Sequence, residues 1–201
     1  MQTLFWSAFG YLFGSIPFAF LIGKFFVRRD IRTVADGNPG ATNVIRAGGW
    51  KVGMLAVLLE IFKGFLPVYL ARQSGLDEWR LVPVALSPIL GHATQPFLGF
   101  RGGKALGASG GAWLALIGLW VFPVYALLTV PVLLIQEEHA WAAFSGLFAL
   151  LYYAAFVLDS SWLTLFAALN TLLIGYTHRR ELRHRPHLRP WVAHLLAARR
   201  A

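Results

Sequence analysis

No cysteine occurs among the 201 residues, which excludes a disulfide framework, a thiolate metal site and a cysteine nucleophile. Acidic residues are scarce too, with nine Asp and Glu against 18 Lys and Arg. Charged residues of both signs make up 13% of the chain, against about 25% in ordinary soluble domains. With 57% hydrophobic residues, the polar surface is too small to cover a fold in water, and the solvent implied is lipid. Linkers, low-complexity tracts and internal repeats are also missing, so residues 1–201 read as one integral membrane domain. The opening apolar run, Met1 to Phe26, is too long for a signal-peptide core and has no basic segment before it. It reads as a retained span.

What is present is a series of apolar segments, near 2–26, 52–71, 81–98, 105–121, 122–136, 140–158 and 161–177. A helix needs roughly 20 apolar residues to cross a bilayer, fewer where it is thin or re-entrant. The fourth and fifth segments are short, with Pro123 near their junction, and fit two tilted helices or one kinked rod. The fold class expected is an all-α polytopic bundle of about seven transmembrane helices.

The net charge of +9 is distributed as cytoplasmic loops are, rather than as a nucleic-acid surface is. Lys24, Arg28, Arg29, Arg32, Arg46 and Lys51 flank the first connection. Arg101 and Lys104 lie in the third, and Arg179, Arg180, Arg183, Arg185, Arg189, Arg199 and Arg200 in the tail. That places fifteen of the 18 Lys and Arg on one side, which by the positive-inside rule is the cytoplasm. An odd span count then sets the N-terminus outside and the C-terminus inside. Such loops suit anionic headgroups and phosphorylated substrates, and the end of the chain from His194 reads as a short basic surface helix.

Three polar stretches fall on that side. In the first, residues 30–46, Gly37 and Gly40 allow positive φ and close backbone approach. Asn38, Thr42 and Asn43 supply neutral donors, and Arg46 supplies a fork suited to phosphate oxygens. Gly, Asn and Pro alone would equally suit a turn-rich connector. The second runs from Gly91 and His92 to Gly102-Gly103-Lys104 ahead of an apolar helix, a phosphate-cradle arrangement although not a Walker sequence. His92 could equally be an interfacial histidine. The third, from His178 to Arg185, is for most of its arginines a membrane anchor; His178 and Arg179 stand closest to the other loops. Glu60 and Lys63, three apart inside a span, read as a structural ion pair. Glu137, Glu138 and His139 read as solvated side chains, so no metal site is expected.

Gly14-Ser15-Ile16-Pro17-Phe18, Asp36-Gly37-Asn38-Pro39-Gly40-Ala41-Thr42-Asn43, Glu60-Ile61-Phe62-Lys63-Gly64 and Gly99-Phe100-Arg101-Gly102-Gly103-Lys104, in this order, resemble the PlsY-type acyl-phosphate-dependent glycerol-3-phosphate acyltransferases over nearly the whole chain. The resemblance implies a seven-span enzyme of the bacterial inner membrane, with its site on the cytoplasmic face. It also implies transfer of a fatty acyl group from acyl phosphate to the 1-hydroxyl of glycerol 3-phosphate, giving lysophosphatidic acid for phospholipid synthesis. No cofactor is implied. The partners are the two substrates, membrane lipids and the enzyme that supplies acyl phosphate. Carried over by position, Asn38, Gly40, Thr42, Asn43 and Arg46 bind substrate, as do Gly102, Gly103, Arg179 and Glu181. His92, Lys104, Asp36 and His178 are the candidate catalytic residues, with Lys104 as the phosphate-binding cation.

The chain departs from the family pattern at Asp36, where a serine is usual, at Glu181, where asparagine is usual, and at Ala105, where glycine follows Gly-Gly-Lys. Two carboxylates beside a dianion would repel it, each by roughly 4 kcal/mol at 4 Å and an effective dielectric near 20, unless paired. Acyl phosphate is already activated, so the site must mainly hold two anions and align hydroxyl with carbonyl. Either Asp36 or a substrate phosphate oxygen would serve as base. Two other readings compete: a non-acylating relative that binds a phosphorylated metabolite or anionic lipid, and a small transporter. The transporter is disfavoured because the polar motifs keep to one face.

Overall fold

A computed structural model gives the fold and describes residues 1–198; Arg199 and Arg200 of the basic tail lie outside the described residues. Among the described residues every regular element is helical, and extended backbone pairs only in an isolated antiparallel bridge between Gln136 and Leu188. Four helical stretches among the described residues are long and apolar enough to cross a membrane: Gln2–Val27, Ala41–Gln73, Leu106–Ile135 and His139–Val157. Ser161–Thr177 is apolar but shorter. Leu12, Phe62, Leu127 and Leu172 stand exposed along these helices, a surface that lipid, not water, solvates without cost. The chain forms two compact units, Met1–Gly118 and Leu119–Ala201.

In the first unit, α1 (Gln2–Gly14) gives way to the short α2 (Phe18–Ile22) at Pro17, which has no N–H to continue the ladder. A π-helical turn, Gly23–Val27, leads into an irregular loop that ends at Gly40. Helix α3 (Ala41–Gln73) is broken at Gly49, whose φ of 80° and ψ of 172° lie off the helical path. Its short first part carries the polar motif, and its second part is the apolar rod expected at 52–71. Helices α3 and α5 (Leu106–Ile117) touch backbone to backbone. A Cβ on Gly64 would fall on the Ala108 carbonyl, and one on Gly111 on that of Ile61, the small-residue contact that helices use where lipid supplies no hydrophobic drive.

The segment expected at 81–98 resolves into α4 (Glu78–Thr94), started by Asp77 accepting the Arg80 N–H, and a single 3₁₀ turn, Pro96–Leu98. Pro96 ends α4 because the residue before a proline is pushed off the α region, and Gln95 is left-handed at φ 48°. The junction of the fourth and fifth expected segments lies earlier than Pro123 suggested. Helix α5 stops at Gly118, φ +66°, and Pro123 sits in the first turn of α6 (Val121–Ile135), where its missing N–H costs nothing. Arg72, at the end of α3, donates to the carbonyls of Ala115 and Leu116 at 3.0 Å each. It thereby caps carbonyls that α5 leaves without a helical partner.

In the second unit α6 is followed by α7 (His139–Tyr152), α8 (Ser161–Thr177) and α9 (Pro190–Ala198). The tail folds back on the turn between α6 and α7. Glu137 N–H reaches His187 O at 3.0 Å, Arg189 donates to the Ile135 and Leu133 carbonyls, and the Trp141 indole donates to His184 O. The Glu137–His139 turn thus receives the tail through the Glu137 backbone N–H, while the Glu137 and His139 side chains stay exposed as expected.

Candidate active site

Loop 30–40 is shaped by side chains that stand in for missing backbone partners. Asp30 accepts the Arg32 N–H at 2.9 Å and its guanidinium at 2.7 Å. Asn43, almost fully buried at the start of α3, ties the loop together through Nδ2, which donates to Val34 O, Asp36 Oδ1 and Asn38 O at 2.8–2.9 Å. Its Oδ1 accepts from Arg46 Nη1 at 3.2 Å, one helical turn on. Asp36 Oδ1 also accepts the Asn38 N–H at 3.2 Å, the Asx arrangement that Asp favours in turns.

The second loop meets the first through charge. Lys104 Nζ lies 2.8 Å from Asp36 Oδ2. Partial burial works against the Asp36 charge, but hydrogen bonds from Lys104, Asn43 and the Asn38 backbone, with the Lys104 charge itself, outweigh it. The carboxyl is held below the usual carboxylate range. Both Asp36 oxygens are thus engaged by donors. Gly102 and Gly103 bring their segment against α4. A Cβ on Gly102 would meet the Ala93 carbonyl, and one on Gly103 would collide with His92 Nε2 and approach Asn38 Oδ1. The Gly103 N–H is bonded to His92 O at 3.2 Å. It is therefore not the free phosphate donor that the Gly-Gly-Lys pattern suggested.

Beneath this segment a buried polar group joins three helices. Glu60 Oε2 is 2.7 Å from Lys63 Nζ and 2.8 Å from His92 Nδ1. Its Oε1 accepts the Ala19 N–H at 3.2 Å, and Lys63 also donates to Ile16 O at 3.0 Å. All three side chains are buried. The expected Glu60–Lys63 pair is present, and Glu60 has a second partner, His92. A cavity of about 190 Å³ opens between the loops and these helices, with Asn38, Gly40, Thr42, Glu60, His92 and Lys104 among its lining residues.

Of the expected site residues, Asp36, Asn38, Gly40, Thr42, Asn43, Arg46, His92, Gly102, Gly103 and Lys104 are brought into this one constellation. His178, Arg179 and Glu181 lie in the second unit, at and just beyond the C-terminal end of α8. His178 is buried with Nδ1 2.9 Å from Ile174 O. Arg179 folds over the Tyr176 ring at 4.2 Å and donates to Tyr176 O. The reading from sequence missed the Glu60–His92 contact. Its only signal was an acidic residue placed in an apolar span at a cost that a single lysine need not fully offset.

The profile of the family described as glycerol-3-phosphate acyltransferase matches residues 4–185. A glycerol-3-phosphate acyltransferase of Thermus thermophilus is 41% identical over 181 residues, covering 86% of each chain. One from Maridesulfovibrio salexigens is 35% identical, over 91% of this chain and 93% of the other. The fold superposes on the crystal structure of PlsY, an integral membrane glycerol 3-phosphate acyltransferase, in its glycerol 3-phosphate form. The TM-score is 0.81 at 31% identity, covering 97% of this chain and 99% of that one. The lysophosphatidic acid form of that enzyme gives a TM-score of 0.80. With its apolar helices this is a multi-pass membrane protein, and on profile, identity and fold together the chain belongs to the glycerol-3-phosphate acyltransferase family.

Proposed function

We propose that this protein transfers a fatty acyl group from acyl phosphate to the 1-hydroxyl of glycerol 3-phosphate, releasing lysophosphatidic acid and phosphate. The observation that carries this reading is the cavity where Asn38, Thr42, His92 and Lys104 meet, in a chain of this family. Lys104 supplies the cation for a phosphate, with Arg46 as the second positive group at the loop. Asn38 and Thr42 orient the glycerol portion. Asn43, its amide spent on three loop acceptors, holds the loop in shape for them. Asp36, kept ionised by Lys104, Asn43 and the Asn38 N–H, is a weak base, so its part is to fix Lys104 and Asn43, and the proton goes to a substrate phosphate oxygen with His92 assisting. His178, as a catalytic candidate, and Arg179 and Glu181, as substrate-binding residues, keep the parts that the family resemblance gives them.

The whole chain acts as one acyltransferase domain with seven spans, its N-terminus outside and its C-terminus in the cytoplasm of a bacterial cell. The site faces the cytoplasm from the inner membrane, where a soluble glycerol phosphate and a lipid-borne acyl phosphate both reach it. The enzyme that makes acyl phosphate is its natural neighbour. The basic residues gathered on the loop side support that orientation.

The test is purified protein in lipid, given acyl phosphate and labelled glycerol 3-phosphate. Lysophosphatidic acid is the expected product, and Lys104→Ala lowers its rate at least a hundredfold while folding is kept. No product above that control rejects the reading. One observation favours a binding-only relative, namely the Asp36 carboxylate seated on Lys104. Product appearing only after Asp36→Ser would decide for it.

A further inference from the structure

After Glu181 the sequence holds five arginines, three histidines and no Asp or Glu, and the reaction as proposed gives this tail no task. Within the second unit it is laid down as a strap. Leu182 N–H bonds to His178 O at 2.9 Å and His184 N–H to Glu181 O at 3.0 Å, so the strap leaves directly from the end of α8. His184 O takes the Trp141 indole, His187 O takes the Glu137 N–H, and Leu188 pairs with Gln136 in the isolated bridge. Arg189 closes the strap. Its N–H and Nε donate to the Ile135 and Leu133 carbonyls at 2.9 Å each, two of those that the end of α6 leaves without helical partners. Pro190 then starts α9, where its missing N–H costs nothing. Leu188, Trp191 and Leu195 are 48%, 52% and 57% exposed, and Leu134 and Ile135 at the end of the α6 span are exposed as well. The bridge sets Leu188 beside Gln136, so the apolar surface at the end of that span runs on into the tail. Arg183 and Arg185 are exposed in the strap.

We propose that residues 182–198 form a surface arm that binds anionic lipid headgroups, with Trp191 and Leu195 set toward the acyl chains and Arg183 and Arg185 against the phosphates. Three features select a lipid surface over a protein partner. The first is continuity, because the arm extends a face that lipid already solvates on α6. The second is depth. Arg189 ties the arm to the last turn of a span, so α9 starts where α6 leaves the hydrocarbon, and at nine residues it is too short to cross a bilayer and lies along its surface. Trp191 suits that level, where an amphipathic ring finds both solvents. The third is charge, since arginines with no carboxylate in their own segment complement anionic phosphates, each strengthening binding about fivefold. Held in this way, the strap stays on the α6–α7 turn and the end of α8 is tied to the membrane surface. This surface is independent of which reaction the first unit's cavity performs.

The chain has no cysteine, so Leu195→Cys can carry a single environment-sensitive fluorophore. The labelled full chain is reconstituted in vesicles of phosphatidylcholine, or of phosphatidylcholine mixed with anionic phosphatidylglycerol. In the anionic vesicles a nitroxide lipid labelled near its headgroup should quench the probe, and acrylamide present on both faces should not. In phosphatidylcholine alone the ratio of lipid to acrylamide quenching is expected to fall at least threefold. Raised salt should produce the same fall in the anionic vesicles, because it screens the headgroup charge. Arg183→Gln with Arg185→Gln should lower the ratio at least threefold in the anionic vesicles and leave it unchanged in phosphatidylcholine. Amide exchange across residues 184–189, followed in the same samples, should quicken at least threefold wherever the ratio falls. Equal ratios in both lipids, or acrylamide access in both, overturn the proposal. So does protection that rises with the number of protein copies per vesicle rather than with lipid charge, which would mark an interface between copies. The lipid and salt comparisons change nothing in the tail except the probe, so they decide the matter alone if the arginine variant fails to fold.

Discussion

Asp36 Oδ2 sits 2.8 Å from Lys104 Nζ, joining two loops 68 residues apart in sequence. A phosphate that binds Lys104 competes with this carboxylate. Exchanging Asp36 for serine or asparagine removes the competitor while keeping a hydrogen-bonding group. Because the pair is partly exposed, water already screens it, and the gain is modest. Inorganic phosphate, the second product, should inhibit Asp36→Ser about three- to tenfold more tightly than wild type, a range that corresponds to about 1 kcal/mol. Product-inhibition kinetics measure this, and kcat should hold within a few-fold. A large fall in kcat would instead make Asp36 part of the proton chemistry.

The same carboxylate has a pH signature. Its folded-state ionisation lies below the ordinary aspartate value, so its hydrogen bonds contribute stability above about pH 3.9. That contribution is lost as the pH falls through the lower folded value. The thermal stability of wild type minus that of Asp36→Asn should therefore be constant across neutral pH. It should shrink only in acid below about pH 4. A difference that disappears between pH 6 and 7 would mean that another group, not Asp36, ties the loops together.

Ala105 begins α5 with φ +61° and ψ 10°, a left-handed backbone that costs an alanine roughly 1 kcal/mol and a glycine almost nothing. The residue after Gly-Gly-Lys is thus strained in this chain. Ala105→Gly should relieve the strain, offset in part by the greater freedom of glycine in the unfolded chain. A net gain of about 0.5 kcal/mol in unfolding free energy, with unchanged KM, is expected. Denaturant titration in detergent reads it.

The helical, lipid-solvated class was legible because it depends on composition and on the length of apolar runs, which act locally. The loops were legible for the same reason. Gly37, Asn38, Gly40 and Asn43 have turn chemistry written into their residue types, and Asn43 does cap loop carbonyls. Boundaries were harder. Pro123 looked like the break between the fourth and fifth segments, but a proline in a first helical turn is neutral, and Gly118, which can take positive φ, made the bend. Contacts between distant residues were the hardest. Glu60 and Lys63 are one turn apart and could be paired on paper. His92, 32 residues on, reaches Glu60 only because α4 packs where it does, and no spacing rule encodes that.

Gly103 offers the sharpest separation of packing from chemistry. Its N–H is bonded to His92 O, and its missing side chain is what lets His92 Nε2 and Asn38 Oδ1 pack close against it. An added methyl cannot be absorbed by a flexible tip, because the imidazole is held by Glu60 on its far side. Either the segment 102–104 lifts, carrying Lys104 away from Asp36, or His92 leaves Glu60. Overpacking of this kind costs typically 1–3 kcal/mol, and both responses disturb the cavity. Gly103→Ala should lose at least tenfold in kcat/KM while still folding. Gly110, on α5, has open space where its Cβ would go, and Gly110→Ala in the same assay should match wild type in rate. Equal activity of the two variants would mean that the close packing of His92 on Gly103 does not shape the site.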